Sequence, residues 1–173
     1  PVCQDTGIVV VFLKVGMQVR FDGDLSVQEM VDEGVRQAYT NAENPLRASV
    51  VSPPWGKRLN TGDNTPAVIH TELVPGDQLN VTLAAKGGGS ENKARFANLN
   101  PSDDLVEWVV ETVPGMGAGW CPPGILGLGL GGTPEKALLM AKESLMAPID
   151  MDQIIARGPA DDDLVHKIGR AHV

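Results

Sequence analysis

The sequence is poor in aromatic residues, has only two cysteines and contains no long apolar run. Aromatic side chains make up 4% of its 173 residues. Two cysteines are too few for a disulfide-stabilised scaffold of this size. One long-range disulfide and a pair of buried thiols are both compatible with the sequence. No apolar run approaches the ~20 residues that a bilayer-spanning helix needs, and the N-terminal residues lack the features of a signal peptide. These absences predict a soluble, cytoplasmic protein that does not bind membranes.

Basic residues are also in the minority, and they are scattered. Fourteen Lys and Arg residues stand against 22 Asp and Glu residues, which gives a net charge of −8. Binding to a phosphate backbone needs clustered positive charge, so nucleic acid is not expected as a partner. Glycine and proline are abundant instead, with 20 and 13 residues. Such a chain is rich in turns and in close backbone approaches.

The chain begins with a strand pattern that is followed by a helix pattern. Residues 8–15 are almost all apolar and β-branched, which predicts a strand buried on both faces. Ser26 and Glu29 have the spacing of a capping box, so a helix is expected over residues 27–41. Because the strand lies so close to a first residue that is not Met, we expect the N-terminus to be cut.

A long irregular stretch separates this helix from two further strand patterns. Prolines and glycines interrupt residues 44–66, which predicts a loop of a length that is usually functional. Residues 67–74 and 78–85 are strand-like and flank a Pro-Gly-Asp turn. We therefore expect these two strands to pair with each other as a hairpin.

The second half of the chain has two helix patterns and one strand pattern. Residues 103–113 predict a helix capped by Ser102, and residues 133–146 predict a helix capped by Thr133 with proline at its first position. Residues 125–130 predict a short buried strand between them. The mixture of strands and helices predicts an α/β or α+β fold, with a mixed sheet flanked by helices.

Gly127, Gly129 and Gly132 satisfy the spacing G-x-G-x-x-G between a predicted strand and a predicted helix. This spacing is shared with dinucleotide-binding turns, so a nucleotide-binding module is one alternative. The match is weak, because no second strand ending in an acidic residue follows it. A tight turn between strand and helix explains the same glycines.

Gly87, Gly88 and Gly89 directly follow a predicted strand and are flanked by polar and basic residues. Successive backbone N–H groups at glycines, together with the ammonium groups of Lys86 and Lys93, are able to form a concave anion site. A flexible hairpin tip has the same composition. Composition alone weighs the two interpretations evenly.

The two cysteines, Cys3 and Cys121, lie in short polar or proline-rich turns, each just before a predicted strand. Neither belongs to a C-x-x-C or H-x-x-x-H pattern, so a zinc site has little support. Buried core thiols are the ordinary alternative. The position in turns favours thiolates that face a shared site. His70 falls within a strand pattern and is predicted to be a sheet residue rather than a ligand.

Four segments together resemble the iron-sulfur, or class I, fumarate hydratases, which share part of the pattern with the tartrate dehydratase α subunits. The segments appear in the family's order and extend the resemblance from Pro1 to about Arg157. They are Pro1-Val2-Cys3-Gln4-Asp5-Thr6-Gly7, Asn60-Thr61-Gly62-Asp63-Asn64-Thr65-Pro66-Ala67, Lys86-Gly87-Gly88-Gly89-Ser90-Glu91-Asn92-Lys93 and Cys121-Pro122-Pro123.

The resemblance implies a [4Fe-4S] cluster held by three cysteines, with one iron left open for substrate. Cys3 and Cys121 match two of these ligands, and we expect the third beyond the end of this chain. We also expect the chain to be an interior fragment that lacks the family's C-terminal domain or β subunit. Residues 1–157 then form a partial hydro-lyase domain. Residues 158–173 form a polar tail that departs from the family over residues 167–173.

The resemblance also implies roles for individual residues in binding a dicarboxylate. Gln4 and Asp5 touch the substrate, and Asp5 also exchanges the proton with the leaving hydroxyl. Arg47 pairs with a substrate carboxylate, for which its planar fork is suited. The remaining residues implied to line the pocket are Gly87, Gly88, Gly89, Asn92 and Lys93.

The leading hypothesis is a fragment of a fumarate hydratase that interconverts fumarate and (S)-malate and is a homodimer when complete. As a fragment we expect it to be inactive, because two of three cysteines and one of two domains do not assemble the site. A tartrate or other hydroxy-acid dehydratase α subunit is the second hypothesis. The segment at residues 86–92 favours the first.

Overall fold

The computed structural model describes residues 7–43, 46–120 and 124–157. The chain divides into two compact units, residues 1–91 and residues 92–173. The predicted tail at residues 158–173 lies outside the described residues. The fold is mixed α/β, as predicted, with a three-stranded mixed sheet and helices.

The first unit is built on a central strand, β1 (Ile8–Gly16), which carries the apolar run found in the sequence. Its strand neighbours are β4 (Val68–Val74), which is parallel to it, and β5 (Leu79–Lys86), which is antiparallel. Five successive residues of β1 are buried, as a strand covered on both faces requires. The prediction for residues 8–15 is therefore confirmed.

Helix α1 (Val27–Tyr39) covers one face of β1. The Ser26 side chain accepts from the Glu29 backbone N–H, and the Glu29 carboxylate accepts in turn from the Ser26 backbone N–H, so the predicted capping box is confirmed. The helix ends two residues before the predicted end. The core of the unit lies between the helix and the sheet and consists of Val9, Val11, Leu13, Val15, Val35, Tyr39 and Ala67.

The predicted hairpin between residues 67–74 and 78–85 is wrong, because β1 lies between β4 and β5. The turn that joins the two outer strands crosses the end of β1, where the N–H groups of Gly16 and Gln18 donate to the carbonyls of Gln78 and Gly76. A strand buried on both faces has unpaired backbone groups along both edges. Pairing on both sides satisfies them, and this outweighs the local preference of the turn.

The predicted loop at residues 44–66 is irregular over its described part, apart from one small antiparallel pair of strands. These are β2 (Val51–Ser52) and β3 (Leu59–Asn60). After β5, Gly87 is followed directly by a single helical turn, α2 (Gly88–Glu91), so the hairpin tip considered for the three glycines is wrong. His70 is a sheet residue, as predicted, and its ring lies 5.0 Å from that of Phe12.

The second unit contains the helices α3 (Leu105–Gly115), α4 (Pro134–Ser144) and α5 (Met151–Arg157). Helix α4 begins with Pro134 after Thr133, as predicted. The predicted cap of α3 at Ser102 is wrong, because the Asp104 carboxylate accepts from the N–H groups of Val106 and Glu107 at 2.8 and 3.1 Å. None of the described helices is both long enough and apolar enough to cross a membrane.

The predicted strand at residues 125–130 is also wrong, since this segment has no regular secondary structure and Ile125 is exposed. Its glycines pack directly on α4 instead. A Cβ added to Gly127 would lie 2.2 Å from the Ala141 carbonyl oxygen, and one added to Gly129 would lie 1.9 Å from that of Ala137. The segment therefore contacts a helix. This close contact explains why Gly127 and Gly129, two of the three glycines of the G-x-G-x-x-G pattern, cannot be replaced by larger residues.

Candidate functional site

Three of the sequence segments that suggested a function meet at one end of the sheet in the first unit. Gly7 ends the first segment, and Ile8 is paired with Lys86, where the glycine-rich segment begins. A Cβ added to Gly7 would lie 1.8 Å from the Lys86 carbonyl oxygen and 2.7 Å from the Gly87 nitrogen. Gly7 also has a φ of 54°, in the left-handed region. Only glycine permits this contact between the two segments.

The segment at residues 60–67 reaches the same place through Asn64. The Asn64 side-chain amide donates to the Gly7 carbonyl at 2.8 Å. Its oxygen accepts from the N–H groups of Ser49 and Val50 at 2.8 and 3.1 Å. Ser49 lies two residues after Arg47, so Asn64 connects the end of the first segment to the stretch that carries the predicted carboxylate-binding arginine.

Helix α1 holds the loop around Asn64 from the other side. The Asp32 carboxylate accepts from the Ala67 N–H at 2.8 Å, and the Arg36 Nε donates to Asp63 at 3.2 Å. Asp63 also accepts from the N–H and the hydroxyl of Thr65 at 3.0 and 2.8 Å. These bonds from Thr65, with the guanidinium of Arg36 adding to them, lower the pKa of Asp63. The loop is therefore fixed by hydrogen bonds to Asp32 and Arg36 of α1 and to its own Asp63.

The side chain of Lys86 is engaged beside the glycine-rich turn. Its ammonium lies 2.6 Å from the Ser90 hydroxyl and 3.9 Å from a Glu91 carboxylate oxygen. The Ser90 hydroxyl donates in turn to the Gly87 carbonyl at 2.9 Å. The negative charge of Glu91 offsets the positive charge of Lys86. This lysine therefore contributes less positive charge to an anion site than the sequence suggested.

Lys93 lies in the second unit, where its side chain packs on a glycine. A Cβ added to Gly119 would lie 2.8 Å from Lys93 Cε and 3.4 Å from its Nζ. Gly119 is two residues before Cys121 in the sequence. The structure thus places the Lys93 ammonium beside Gly119, which shortly precedes the cysteine-containing segment.

Trp120 is the last described residue before Cys121, and Gly124 is the first after Pro123. A Cβ added to Gly124 would lie 2.1 Å from Trp120 Cζ3. The indole ring therefore lies directly against the backbone of Gly124. The two described residues that flank Cys121-Pro122-Pro123 are therefore in contact with each other.

Several predicted site residues lie outside the described residues, namely Cys3, Gln4, Asp5 and Cys121. Arg47 is exposed, Asn92 is exposed, and Lys93 is half-buried. Gly88 and Gly89 belong to α2, and Gly87 directly precedes it. Within the described ranges, no group of three or more His, Cys, Asp and Glu side chains is arranged to hold a metal.

Reasoning from the sequence missed Asn64, which is fully buried and has a φ of 63°. Asn64 lies in the family-like segment at residues 60–67, and no role was predicted for it. A signal was present, because Asn is one of the few residues that adopt the left-handed region with a local hydrogen bond, and here it follows Gly-Asp and precedes Thr-Pro.

Comparisons with known proteins agree with these segments. The sequence profile of the family described as "Fumarate hydratase (Fumerase)" matches residues 1–169. A Methanocaldococcus jannaschii protein named "Putative L(+)-tartrate dehydratase subunit alpha" is 36% identical over 155 residues, which cover 86% of this chain and 54% of the relative. Proteins named "L(+)-tartrate dehydratase subunit alpha" from Escherichia coli UTI89 and K12 are 31% and 30% identical over 156 residues, covering 86% of this chain and 50% of each relative. The chain spans about half the length of the curated relatives it matches.

Proposed function

The chain belongs to the class I fumarate hydratase family of hydro-lyases, and on that premise we propose that it is the α-type, cluster-binding part of an enzyme that reversibly hydrates a small unsaturated dicarboxylate. The observation that supports this best is the contact of Gly7 with Lys86 and Gly87. It brings Gly7, the last residue of the first family segment, against the start of the glycine-rich segment.

The family typically uses a [4Fe-4S] cluster, and we assign Cys3 and Cys121 as two of its ligands. The chemistry of the donors fits, since such clusters are held by cysteine thiolates. The third cysteine implied by the family is not among these 173 residues, which contain only two cysteines. When bound, the cluster supplies an open iron position that acts as a Lewis acid toward a substrate oxygen.

The proposed chemistry assigns proton transfer and substrate orientation to side chains of this chain. In the dehydration direction Asp5 gives a proton to the leaving hydroxyl, the C–O bond breaks and water departs. The C–H bond on the neighbouring carbon breaks, its electron pair forms the C=C bond, and its proton passes to a base that the complete enzyme supplies. Arg47 binds a substrate carboxylate through two parallel N–H donors, and Gln4 contacts the substrate beside it. These contacts orient the substrate so that the hydroxyl faces Asp5.

A protein with a net charge of −8 repels a dianion unless its site is locally positive. Arg47 and Lys93 supply that positive charge in the proposal. The backbone N–H groups of Gly87, Gly88 and Gly89, together with Asn92, complete the lining. Because Lys86 is offset by Glu91, we assign the anion-binding role to Arg47 and Lys93 rather than to Lys86.

Fumarate and (S)-malate are the first candidate substrates, on the resemblance of residues 86–92 to fumarases. Tartrate is the second candidate, because the curated relatives carry the name L(+)-tartrate dehydratase. Their designation as subunit alpha supports a partner subunit or domain that completes the site. The homodimer and the cytoplasmic location predicted from the sequence belong to the same proposal.

The experiment that tests the proposal is a substrate panel on the complete enzyme that contains this chain. The enzyme is prepared anaerobically with its cluster, and fumarate, (S)-malate and L-tartrate are each assayed by the ultraviolet absorbance of the unsaturated acid or by chromatography. We expect turnover of one of these substrates. Absence of turnover on all three, with the cluster loaded, would contradict the proposal.

The role of Arg47 is tested with Arg47→Lys, which keeps the charge but loses the planar fork. We expect KM to rise by about tenfold or more, because one of two parallel hydrogen bonds to the carboxylate is lost. Arg95→Lys is the matched control, since Arg95 is exposed and its described hydrogen bond is to the neighbouring Ala94 carbonyl. An unchanged KM in Arg47→Lys would remove Arg47 from the site.

A further inference from the structure

Strand β5 has an apolar face that lies exposed in the described structure. Leu79, Val81 and Leu83 alternate along the strand and are 46%, 55% and 58% exposed. The residues between them, Asn80 and Thr82, are polar. Alternation of this kind is typical of a strand that has one face buried and the other in water. The pattern therefore predicts a cover for the apolar face.

This apolar face is on the side of the sheet that carries α1. Directly opposite residues of an antiparallel pair project to the same face of a sheet. Each of the three apolar residues lies opposite a β1 residue of the core beneath α1, and the pairs are Leu79 with Val15, Val81 with Leu13 and Leu83 with Val11. The exposed face of β5 is therefore a lateral continuation of the core between α1 and the sheet.

Helix α1 lies toward β4 and leaves β5 uncovered. Its Gln28 and Asp32 side chains form hydrogen bonds to the backbone of Ala67, which directly precedes β4. Arg36, one turn further along the same flank, donates to Asp63. Strands β4 and β5 lie on opposite sides of β1. Because these bonds tie the helix to the β4 side, the space above β5 is left for another element.

The flank of α1 that faces this space has small or apolar side chains. At about 3.6 residues per turn, positions 30, 34 and 38 lie on the flank opposite the hydrogen-bonded one. These residues are Met30, Gly34 and Ala38, and Gly34 and Ala38 are exposed. A Cβ added to Gly34 would meet nothing within 4 Å. This flank and the apolar face of β5 thus form an open groove, with β5 as its floor and α1 as one wall.

The groove has the dimensions of one short helix. Neighbouring helices lie about 8–10 Å apart, which is roughly twice the spacing of about 4.8 Å between strands. Since α1 lies above β1 and β4, a helix beside it is centred above β5. The strand rises about 14 Å from Leu79 to Leu83, and roughly nine residues of helix have the same length.

We propose that this groove is filled by one amphipathic helix from the part of the same subunit that lies outside these 173 residues. The chain spans about half the length of the curated relatives it matches, so a comparable length of polypeptide is available to supply the helix. Such a helix presents apolar residues at positions i, i+3, i+4 and i+7. It covers β5 whichever dicarboxylate the enzyme hydrates.

The size of the groove favours a helix of the same subunit over a second protein. Three half-exposed side chains and one helix flank offer far less than the about 800 Å² per partner that a standard interface between proteins buries. A helix of the same polypeptide needs less area, because its association is intramolecular and loses less translational and rotational freedom.

A bulky residue on the α1 wall tests whether the groove is occupied. In the complete enzyme we expect Gly34→Trp to lower Tm by at least about 3 °C, because the indole overfills a packed groove. Gly34→Ala is the matched control, and its Tm should not fall because a methyl group leaves room for a helix. In an empty groove the indole meets nothing and replaces a poor helix former. An unchanged or raised Tm in Gly34→Trp therefore overturns the inference.

Photo-crosslinking identifies the occupant. The photoreactive p-benzoylphenylalanine replaces Val81 in the complete enzyme, and the control carries it at Asn80, on the opposite face of β5. We expect the cross-linked product to keep the mass of a single subunit on a denaturing gel. Mass spectrometry should place the captured peptide outside these 173 residues, in a segment with a helical apolar pattern.

Capture of this peptide from position 81 should exceed capture from position 80 by about tenfold, because only the first position contacts the helix. Leu79, at the end of the strand, is the alternative position if the Val81 variant does not fold. A product with the mass of two chains, a captured peptide from residues 92–173, or capture no greater than in the control overturns the inference.

Discussion

The contact between Gly7 and Lys86 allows a prediction about stability that does not depend on catalysis. In Gly7→Ala the new Cβ would lie 1.8 Å from the Lys86 carbonyl oxygen and 2.3 Å from its carbonyl carbon. Since real Cβ atoms essentially never approach closer than 3.0 Å, the two backbones must separate by more than an ångström. The atoms involved are backbone rather than the flexible end of a side chain, so the end of the β1–β5 ladder has to open.

The magnitude follows from two separable costs. The left-handed φ of 54° costs an alanine about 1 kcal/mol, and the displacement of a strand end adds a cost of the size seen for overpacked sites, about 1–3 kcal/mol. We therefore expect Gly7→Ala to lower the free energy of unfolding by about 2–4 kcal/mol. The measurement is a urea titration followed by far-ultraviolet circular dichroism.

Two glycines of the same unit serve as matched controls for this substitution. Gly62 has a φ of 81° with open space around it, so Gly62→Ala carries the backbone cost alone, about 1 kcal/mol. Gly34 lies inside α1 with nothing near it, so Gly34→Ala should stabilise the protein by up to about 1 kcal/mol. A loss in Gly7→Ala no larger than that in Gly62→Ala would refute the close approach of the two segments.

Two further predictions concern the helix and loop behind the site. Ser26→Ala removes the capping box with Glu29 and should lower the free energy of unfolding by about 1 kcal/mol, measured by the same titration. Hydrogen bonds from Thr65, with Arg36 adding to them, lower the pKa of Asp63 below its ordinary value, so its carboxylate stabilises the fold above that value. Asp63→Asn should therefore lower Tm at pH 7. The difference from wild type should shrink as the pH falls through the folded-state pKa, and a difference that is constant with pH would contradict this account.

The sequence predicted the elements whose signals are local. The capping box at Ser26 and Glu29 satisfies the start of α1 with neighbouring residues, and Pro134 suits the start of α4 because its fixed φ fits a helix and no N–H is needed there, so a short window contains each signal. The burial of β1 was visible in its apolar run, which only Lys14 interrupts. Neither kind of signal depends on residues far away in the chain.

The errors concern choices that tertiary structure makes. Whether β4 pairs with β5 or with β1 depends on the burial of a third strand, which the turn between β4 and β5 does not encode. The segment at residues 125–130 is apolar enough for a strand, but its glycines let it contact α4 directly. At α3 the predicted cap, Ser102, was wrong because Asp104, two residues later, accepts from the first N–H groups of the helix. Asp103 accepts from the Asn100 N–H, while Asp104 caps the helix.

The candidate site was predictable as a set of segments but not as an arrangement. Resemblance to a family pointed to the segments that contain Gly7, Asn64 and Lys86, and the structure brings these three together. The buried side chain of Asn64 forms hydrogen bonds to residues 57 and 15 positions earlier in the chain. Bonds over such separations depend on the fold, so composition and spacing do not predict them.

The central claim is that this chain supplies two thiolates to the cluster of a hydro-lyase, and measuring iron in cysteine variants tests it most directly. The complete enzyme, its Cys3→Ala variant and its Cys121→Ala variant are reconstituted anaerobically with iron and sulfide. Iron and sulfide per chain, visible absorbance and turnover are then measured. We predict that each variant loses the cluster and its activity while its far-ultraviolet circular dichroism is unchanged. A Cys121→Ala enzyme that holds wild-type iron and turns over substrate at the wild-type rate would contradict the account.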